Sequence, residues 1–275
     1  MRFPRVSLAL DNRFAAKRWP NPSEWTYVAN TLGIRYVEAT TDTELDPLRM
    51  GRDALRRWLG EVHSACESSG CRISALRSGA AMATTLGLLH PDQGIRTHVL
   101  DHWLKPLVEL GAELDAVTAF RCHGVSDRVL QQPQHYREQR RALVAPLAEL
   151  VEHAASEGRN GTARAAGTLA LEPGFTPHEP PWTIDDTERL LSEVSQQGRK
   201  QASGVMLGTA LHSDAPRLRA GFQQPDRETI LQALRAERDG RASSELWLGP
   251  VDAQASFREA VLQPSMEEER VAYEI

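Results

Sequence analysis

Short apolar runs alternate with longer amphipathic stretches along this chain, and that alternation limits its possible folds more than any other feature. Residues 6–10 form the first apolar run, and a helical pattern follows it after Pro22 and stops at Gly33. Repeated strand–helix alternation predicts stacked βαβ units and a parallel sheet. A closed barrel of such units requires about 250 residues, and the chain has 275. We therefore predict one α/β domain over residues 1–275, with the fold of a (β/α)₈ TIM barrel.

The sequence contains seven strand-like runs, where a complete barrel of this type has eight. They cover residues 6–10, 35–39, 72–76, 117–120, 168–172, 204–208 and 245–248. The main helical patterns cover residues 23–32, 53–69, 96–110, 136–156, 185–194 and 227–238. The stretch at residues 213–226 has no apolar run. We predict that the barrel is irregular, or lacks one strand, at that place.

Composition and charge exclude several classes of function. The chain has 37 acidic and 32 basic residues, a net charge of −5, so it offers no basic surface for nucleic acid or an anionic membrane. No apolar run approaches the ~20 residues of a membrane span, and the apolar piece near the start is too short for a secretory signal. The three cysteines show no C-x-x-C spacing. We expect a cytoplasmic protein that binds neither nucleic acid nor membrane.

Polar residues follow several of the apolar runs, and in a TIM barrel the carboxyl ends of the strands carry the active site. Glu172 is there either a metal ligand or general base, or a carboxylate in a salt bridge across the barrel. His123 either binds a substrate hydroxyl and transfers a proton, or packs as a hydrogen-bonded residue. His212 either polarises a carbonyl or caps a loop. We predict that these three residues are catalytic.

Five further residues are predicted to bind substrate. Glu38 and the acidic segment TTDTELDP after it either bind a polyol or form a solvated loop, and Arg77 and Thr209 end or follow strands. His178 and Trp182 belong to PGFTPHEPPW, which is either a lid over the site or a surface loop stiffened by proline. Trp182 is the best candidate for stacking on the face of a sugar.

Several longer segments resemble one family. YVEATTDTELDPLRMG, SGAAMATTLGLLHPD, LDHWLKPLVELGAELDA, FRCHG and LEPGFTPHEPPWTIDDTERLLSEV are similar to segments of xylose-isomerase-like TIM barrels. That superfamily contains sugar and sugar-phosphate isomerases and epimerases, and the branch with the metal-bearing subunits of C-glycoside deglycosidases is the nearest. The resemblance covers roughly residues 5 to 212. It implies one divalent metal held by a Glu–Asp–His–Glu set, with a carboxylate base that moves a proton between adjacent carbons.

The chain departs from that ligand set. Glu172 matches the first glutamate and His212 the histidine of an Asp-x-x-His motif, but Thr209 stands where the resemblance implies aspartate. Gly249 stands where it implies the last glutamate. The strand with the metal-binding histidine is not found. A hydroxyl and a glycine cannot replace two anionic oxygens around a hard divalent cation.

We therefore predict no metal ligands and no cofactor. After the third strand, Ala80 and Ala81 also replace an expected histidine and glycine. A divalent metal such as Mn or Mg would require other ligands, with these candidates: Asp214, Asp226 and Asp252.

Two functions remain. The first is an isomerase, epimerase or lyase that acts on a sugar-like or polyol small molecule by acid–base chemistry, without the metal. The second is a catalytically inactive relative that binds a ligand, pairs as a homodimer, or serves as the partner of an active subunit. A nuclease of the same fold would need several metals and a basic DNA-binding face, neither of which the sequence offers.

Overall fold

The computed structural model describes residues 9–79, 85, 87–160, 169–172, 174, 177–198, 207–212 and 246–249, and at 158–160, 184, 198, 207–212 and 246–249 it describes the backbone alone. Within these ranges seven parallel strands form one sheet, in which their order is their order along the chain. The strands are β1 (Ala9–Asp11), β2 (Tyr36–Thr40), β3 (Arg72–Arg77), β4 (Val117–Phe120), β5 (Leu169–Leu171), β6 (Leu207–His212) and β7 (Leu246–Gly249). The predicted α/β class is confirmed, and a strand lies at each of the seven predicted places. β6 continues to His212, beyond the predicted end at residue 208, so Thr209 lies within the strand and not after it.

Helices separate the strands, as the alternation predicts. They are α1 (Pro22–Thr31), α2 (Arg52–Ser69), α3 (Gln93–Val99), α4 (Lys105–Glu113), α5 (Asp127–Leu130), α6 (Pro133–Ala142), α7 (Val144–Asn160) and α8 (Ile184–Gly198). Short 3₁₀ helices at Asn12–Ala15 and Gly87–Leu89 follow β1 and precede α3. None of the helices within the described ranges is long and apolar enough to cross a bilayer.

The ends of the first two long helices follow directly from their sequences. α1 begins with a capping box between Asn21 and Glu24 and has proline in its first turn. α2 ends at Gly70, whose φ of 74° is the left-handed conformation that glycine adopts without a steric penalty. These signals explain why both predicted helices agree with the structure to within one residue at each end.

Two other predicted helices differ from the structure. The pattern over 136–156 belongs to two helices, α6 and α7, with a break at Leu143. Pro146 explains the break, because it has no N–H to donate to the carbonyl of Ala142 but fits the first turn of a new helix. The pattern over 96–110 belongs to a longer unit, in which a π-helical turn (Leu100–Leu104) joins α3 to α4.

The core lies between the sheet and the surrounding helices. One cluster packs α1 and α2 against the first three strands and includes Trp25, Trp58 and Val37. A second packs the later helices against β4 and β5 and includes Phe120 and Leu171. Burial of these side chains removes apolar surface from water, which stabilises a protein by about 25 cal/mol per Å². This burial holds the helical layer to one face of the sheet.

The other face of the sheet carries small residues. Ala119 and Ala170 form a separate buried cluster with Val117, because side chains alternate between the two faces along a strand. The backbone pairing of β6 with β7 runs from Thr209↔Leu246 to His212↔Gly249. The predicted irregularity at residues 213–226, the predicted helix at 227–238 and the end of the chain lie outside the described residues.

Candidate active site at the carboxyl ends of the strands

The strand register brings the predicted site residues to one edge of the sheet. Asp11 is paired with Glu38, and Thr40 with Arg77. Ala119 is paired with Ala170, so positions two residues further on lie side by side beyond the ends of β4 and β5. Those two positions are Arg121 and Glu172.

Glu172 is held by two arginines. Its Oε1 accepts a hydrogen bond from Arg77 Nε at 2.7 Å, and its Oε2 accepts from Arg77 Nη2 at 3.2 Å and from Arg121 Nε at 3.1 Å. Glu172 and Arg77 are both buried. Of the two interpretations of Glu172 given by the sequence, the salt bridge describes its contacts. The paired carboxylate raises the pKa of Arg77 above its ordinary value, against the effect of burial.

The ion pairs continue from Arg77 into a longer network. Arg77 Nη1 lies 3.8 Å from Asp11 Oδ2, and Arg13 contacts the same oxygen at 2.6 Å. Arg13 also lies 3.7 Å from Asp42. The network therefore alternates in charge, and its three arginines balance its three carboxylates. We call the six residues the strand-end ion network: Asp42, Arg13, Asp11, Arg77, Glu172 and Arg121.

Glu38 lies beside this network with a different character. It is 1% exposed, and its Oε2 has no hydrogen-bond partner within the described part of the chain. Burial raises its pKa to about 9, although the positive charge of Arg77 opposes the rise. At neutral pH Glu38 is therefore a protonated acid. The solvated-loop interpretation of this residue is wrong, because the strand carries it into the interior.

His123 is the second buried group with unused hydrogen-bonding capacity. It is 3% exposed, and neither Nδ1 nor Nε2 has a partner among the residues described. Burial, assisted by the charge of Arg121, lowers its pKa to about 3. Its φ is +70°, a left-handed conformation that costs a non-glycine residue on the order of 1 kcal/mol. The predicted hydrogen-bonded packing role therefore does not describe His123.

A glycine makes room for this histidine. A Cβ added to Gly87 would come within 2.6 Å of His123 Cδ2. The 3₁₀ turn that contains Gly87 is fixed to the strand end, since Leu88 N–H donates to the carbonyl of Cys122 at 3.2 Å. The position of the imidazole is therefore set by a close backbone approach and not by a hydrogen bond.

The residues of the proline-rich segment lie in different surroundings. His178 Nε2 is 2.7 Å from Asp127 Oδ1, and its side chain is exposed. Its backbone carbonyl accepts from Val125 N–H at 2.6 Å, which fixes the segment to the chain after β4. Trp182 is half-buried beside the hydroxyl of Tyr136. Their predicted roles in binding substrate remain predictions.

Only backbone positions are described for the predicted residues of β6. Thr209 is paired with Leu171 on one side, and His212 with Gly249 on the other. His212 and Gly249 are thus both strand-end positions, as their proposed correspondence to metal ligands requires. The substituted positions Ala80 and Ala81 lie outside the described residues. The alternative metal-ligand candidates also lie outside them: Asp214, Asp226 and Asp252.

Sequence reasoning did not select two members of the strand-end ion network, Arg13 and Arg121, whereas Asp42 lies in the acidic segment TTDTELDP that it offered as a possible polyol-binding segment. Alternation along β4 could have found Arg121, because it lies two residues after Ala119 and so faces the same side as Glu172. The pairing of Arg13 with Asp11 and Asp42 depends on a 3₁₀ turn after β1, for which the sequence has no strong signal.

Among the described residues, the contacts of Glu172 do not fit a divalent cation. Glu172, the one described carboxylate that matches the ligand set implied by the resemblance, has both oxygens bound to guanidinium groups. Within the described ranges, no group of three or more His, Cys, Asp and Glu side chains is arranged to hold a metal. A cation beside Glu172 would also meet the like charges of two arginines.

A separate groove lies on the helical layer. It has a volume of about 760 Å³, is open to solvent, and runs between α1 and α2. Hydroxyl and charged side chains line it, with Thr26, Ser64 and Glu61 among them. None of the predicted site residues belongs to this groove.

Comparison with known proteins supports the fold. No curated protein matches the chain in sequence. Among solved structures, a xylose isomerase candidate from Rhodospirillum rubrum is similar with a TM-score of 0.66 at 17% identity, covering 90% of this chain and 91% of that one. The 3-keto-D-glucoside 4-epimerase of E. coli has a TM-score of 0.58 at 15% identity, with coverages of 94% and 98%.

A third structure extends the same group. D-psicose 3-epimerase from Clostridium cellulolyticum H10, with D-tagatose, has a TM-score of 0.59 at 11% identity and covers 90% of this chain and 85% of its own. At such identities the likeness shows the fold alone. Residues 27–209 match the sequence family described as Xylose isomerase-like TIM barrel, which is more than half of the chain. The chain therefore belongs to the xylose isomerase-like TIM barrel family.

Proposed function

We propose that this protein is an isomerase or epimerase, or a related lyase, that acts on a sugar-like or polyol molecule by acid–base chemistry. One observation carries the proposal. Glu38 and His123 are both buried at the strand ends, both are neutral at pH 7, and both have polar atoms without a partner among the described residues. Buried polar groups are normally hydrogen-bonded, and each exception calls for an explanation. A bound substrate would supply the missing partners.

Moving a carbonyl along a sugar requires a proton to leave one carbon and to arrive at its neighbour. Glu38 is suited to this step because a carboxylate with a pKa of about 9 is a stronger base than an ordinary one. In its ionised form, which is a minor population at pH 7 and grows as pH rises towards 9, it takes the proton from carbon, and in its protonated form it returns the proton to the adjacent carbon. The sugar is neither oxidised nor reduced overall.

The hydroxyl proton must move in the same direction, from the substrate hydroxyl to the carbonyl oxygen. A neutral imidazole can accept at one nitrogen while it donates from the other. His123 has both nitrogens unused, which supports this role. Arg77 carries a fixed positive charge next to Glu38 and would stabilise the negative charge that develops on the substrate oxygens.

The role that we propose for Glu172 differs from the role of general base that the sequence predicts. Both of its oxygens already bind arginine, so its protonation would break ion pairs that position Arg77. We propose that Glu172 is a positioning residue. His212, Thr209, His178 and Trp182 remain proposed contacts of the substrate.

The substrate class is supported by the charge of the site. The strand-end ion network has no net charge, which favours a neutral polyol over a phosphorylated or acidic sugar. Membership of the family and the names of the similar epimerases also favour sugars.

The cysteines Cys66, Cys71 and Cys122 are free thiols, which supports a reducing, cytoplasmic location.

The test is proton exchange in D₂O. The protein is incubated with a panel of neutral ketoses and aldoses, and NMR follows loss of the C–H signal next to the carbonyl. We expect exchange with at least one sugar, and a loss of about 100-fold or more in Glu38→Gln. Glu61→Gln, an exposed glutamate on α2, is the matched control. Unchanged exchange in Glu38→Gln would overturn the assignment of this residue.

The second candidate is an inactive relative that binds a ligand or an active partner subunit. Gly249 and Thr209, in place of two acidic ligands, favour it. The same panel separates the two functions, because this candidate requires that a sugar raise the melting temperature without any exchange. A shared homodimer or an unlike partner would be detected by light scattering.

A further inference from the structure

The surroundings of Glu172 bear on the chemistry of the whole site. In the ligand set that the resemblance implies, this glutamate supplies an oxygen to a divalent cation. Here Arg77 binds both of its oxygens and Arg121 binds one of them, at distances of 2.7 to 3.2 Å. The three side chains are buried or nearly so, with exposures of 9%, 14% and 4% for Arg77, Arg121 and Glu172.

Arginine keeps its charge at any pH of interest and presents its donors in a rigid plane. A divalent cation at Glu172 would have to displace at least one guanidinium and stand beside the other. Asp11 gives Arg77 a second anionic neighbour, at 3.8 Å. The local charge that a metal would balance is therefore already balanced by side chains.

We infer that Arg77 and Arg121 replace the divalent cation of this site, and that the protein binds and polarises its ligand through guanidinium groups without a metal. The binding and polarising part of this inference rests on the proposed function. The exclusion of a cation from Glu172 rests only on the contacts described.

The arrangement also gives Arg77 a position that a cation would otherwise take. Its charge is the largest one that lowers the pKa of Glu38. When Glu38 takes a proton from carbon, the negative charge that develops on the ligand oxygen would therefore lie close to the guanidinium.

The first experiment uses Mn²⁺ alone and the full chain, dialysed against chelator and then freed of it. Electron paramagnetic resonance measures free Mn²⁺ during titration of the wild type and of Glu172→Gln. We expect identical curves for the two proteins. One Mn²⁺ per chain in the wild type that is lost in Glu172→Gln would overturn the inference. Glu172→Asp repeats the comparison if the glutamine variant does not fold.

A surface site must be separated from this result. His98 and His102 lie one turn apart on an exposed face, with ring centroids 4.7 Å apart, and a histidine pair of this kind binds transition metals. The double variant His98→Ala/His102→Ala is therefore titrated in parallel. Mn²⁺ that persists in Glu172→Gln and disappears in the double variant belongs to the surface and supports the inference.

The second experiment follows a sugar that exchanges in D₂O. Turnover is expected to be the same with chelator as with added Mn²⁺, and Arg77→Met should lower kcat by about 100-fold or more, as loss of a charge-stabilising donor does. Arg77→Lys should recover part of that loss. The acid limb of the pH profile, along which Glu38 ionises, should move to higher pH in Arg77→Met, because Glu38 loses the charge that lowers its pKa.

The control is Arg72→Met, at an exposed position of the same strand. A strict requirement for Mn²⁺, or an unmoved acid limb in a folded Arg77→Met, would overturn the inference. Failure of every sugar to exchange would refute the proposed function instead, and the Mn²⁺ titration would still decide whether a cation is excluded.

Discussion

Arg77 and Arg140 are both buried arginines that bind carboxylates, one at the ends of the strands and the other between helices α6 and α8. Arg140 donates to Asp186, and it also lies 3.3 Å from Glu193. Arg189 contacts the same aspartate at 3.0 Å. The nearby Tyr136 has a pKa that burial raises to about 12, so it does not ionise near neutral pH.

The difference between the two regions lies in what stands next to the ion pairs. Arg77 lies beside Glu38, and the charge of Arg121 helps to lower the pKa of His123. Glu38 and His123 are both neutral at pH 7, and both have polar atoms without a hydrogen-bond partner within the described ranges. A buried ion pair is therefore not in itself a sign of function. It becomes part of a candidate site when groups able to exchange protons lie against it.

The largest expected effect separates the two regions by stability. Arg140→Met leaves Asp186 buried with only one exposed arginine, and breaking a buried pair costs about 3–5 kcal/mol. The free energy of unfolding in urea should fall by that amount, whereas sugar binding by the protein that remains folded should not change. Arg141→Met, at the exposed neighbouring position, is the control. A loss of ligand affinity in Arg140→Met would remove the distinction.

Glu38→Gln tests the pH dependence that this comparison implies. Because the folded pKa of Glu38 is about 9 and the ordinary value is 4.5, the folded state holds a proton that the unfolded state releases. Its contribution to stability is complete below pH 4.5 and is lost as pH rises through 9. Between pH 6 and 9, Glu38→Gln should therefore lose about 4 kcal/mol less stability than the wild type. If urea unfolding showed that the wild type and Glu38→Gln lose the same free energy of unfolding between pH 6 and pH 9, the raised pKa of Glu38 would be contradicted.

His123 should give the opposite pH dependence. Its folded pKa is about 3 and its ordinary value is 6.5, so the unfolded state gains a proton first as pH falls. Stability from this group is complete above pH 6.5 and is lost towards pH 3. His123→Asn keeps a residue that tolerates the left-handed conformation, and it should flatten the acid limb by about 2 kcal/mol between pH 7 and pH 5. His135→Asn, on an exposed position of α6, should leave that limb unchanged.

Gly87→Ala tests whether the backbone sets the position of the imidazole. Gly87 has a φ of +50°, which alanine adopts only with strain, and the new methyl group would collide with His123. We therefore expect a loss of about 1–2 kcal/mol in the free energy of unfolding. Proton exchange in D₂O should fall with it. Gly60→Ala, on α2 where nothing lies within 4 Å of the added carbon, should keep both stability and exchange. Equal behaviour of the two variants would show that the close approach has no role.

The smallest effect is expected at an exposed ion pair. Lys105 contacts Asp101 at 2.5 Å and Glu149 at 2.6 Å, and Glu149 is half exposed. Surface pairs contribute less than about 1 kcal/mol, so Lys105→Met should change the free energy of unfolding by less than that. A larger change in urea unfolding would mean that these contacts resemble the two buried networks more closely than their exposure indicates.

Much of the fold could be predicted from the sequence, because strands and helices depend on local patterns. Capping residues and Gly70 gave the ends of α1 and α2 to within one residue. Pro146 carried a signal for the division of α6 from α7 that periodicity alone concealed. The π turn before α4 had no such signal, since its extra residue is accommodated by packing and not by composition.

The candidate site could be predicted only in part. Strand ends selected Glu38, Arg77, His123 and Glu172, because parallel strands bring those positions together whatever residues they hold. The ion pairs of Glu172 with Arg77 and Arg121 could not be predicted, although alternation places Arg121 on the same side of the sheet, since pairing across about 50 to 95 residues depends on the register. The raised pKa of Glu38 could not be predicted either, because it depends on burial. The acidic residues that follow Glu38 in the sequence are typical of a solvated loop and so conceal that burial.

The π turn at Leu100–Leu104 has a consequence for how this helix tolerates change in length. A π turn holds about one residue more than an α turn, and buried residues lie on both sides of it, from Val99 to Val108. Loss of one residue inside the turn would convert it to an ordinary α turn and leave both flanks facing the core. The same loss a few residues later would rotate one flank by roughly 100°. The turn is thus a place where the layer around the sheet can become shorter without being repacked.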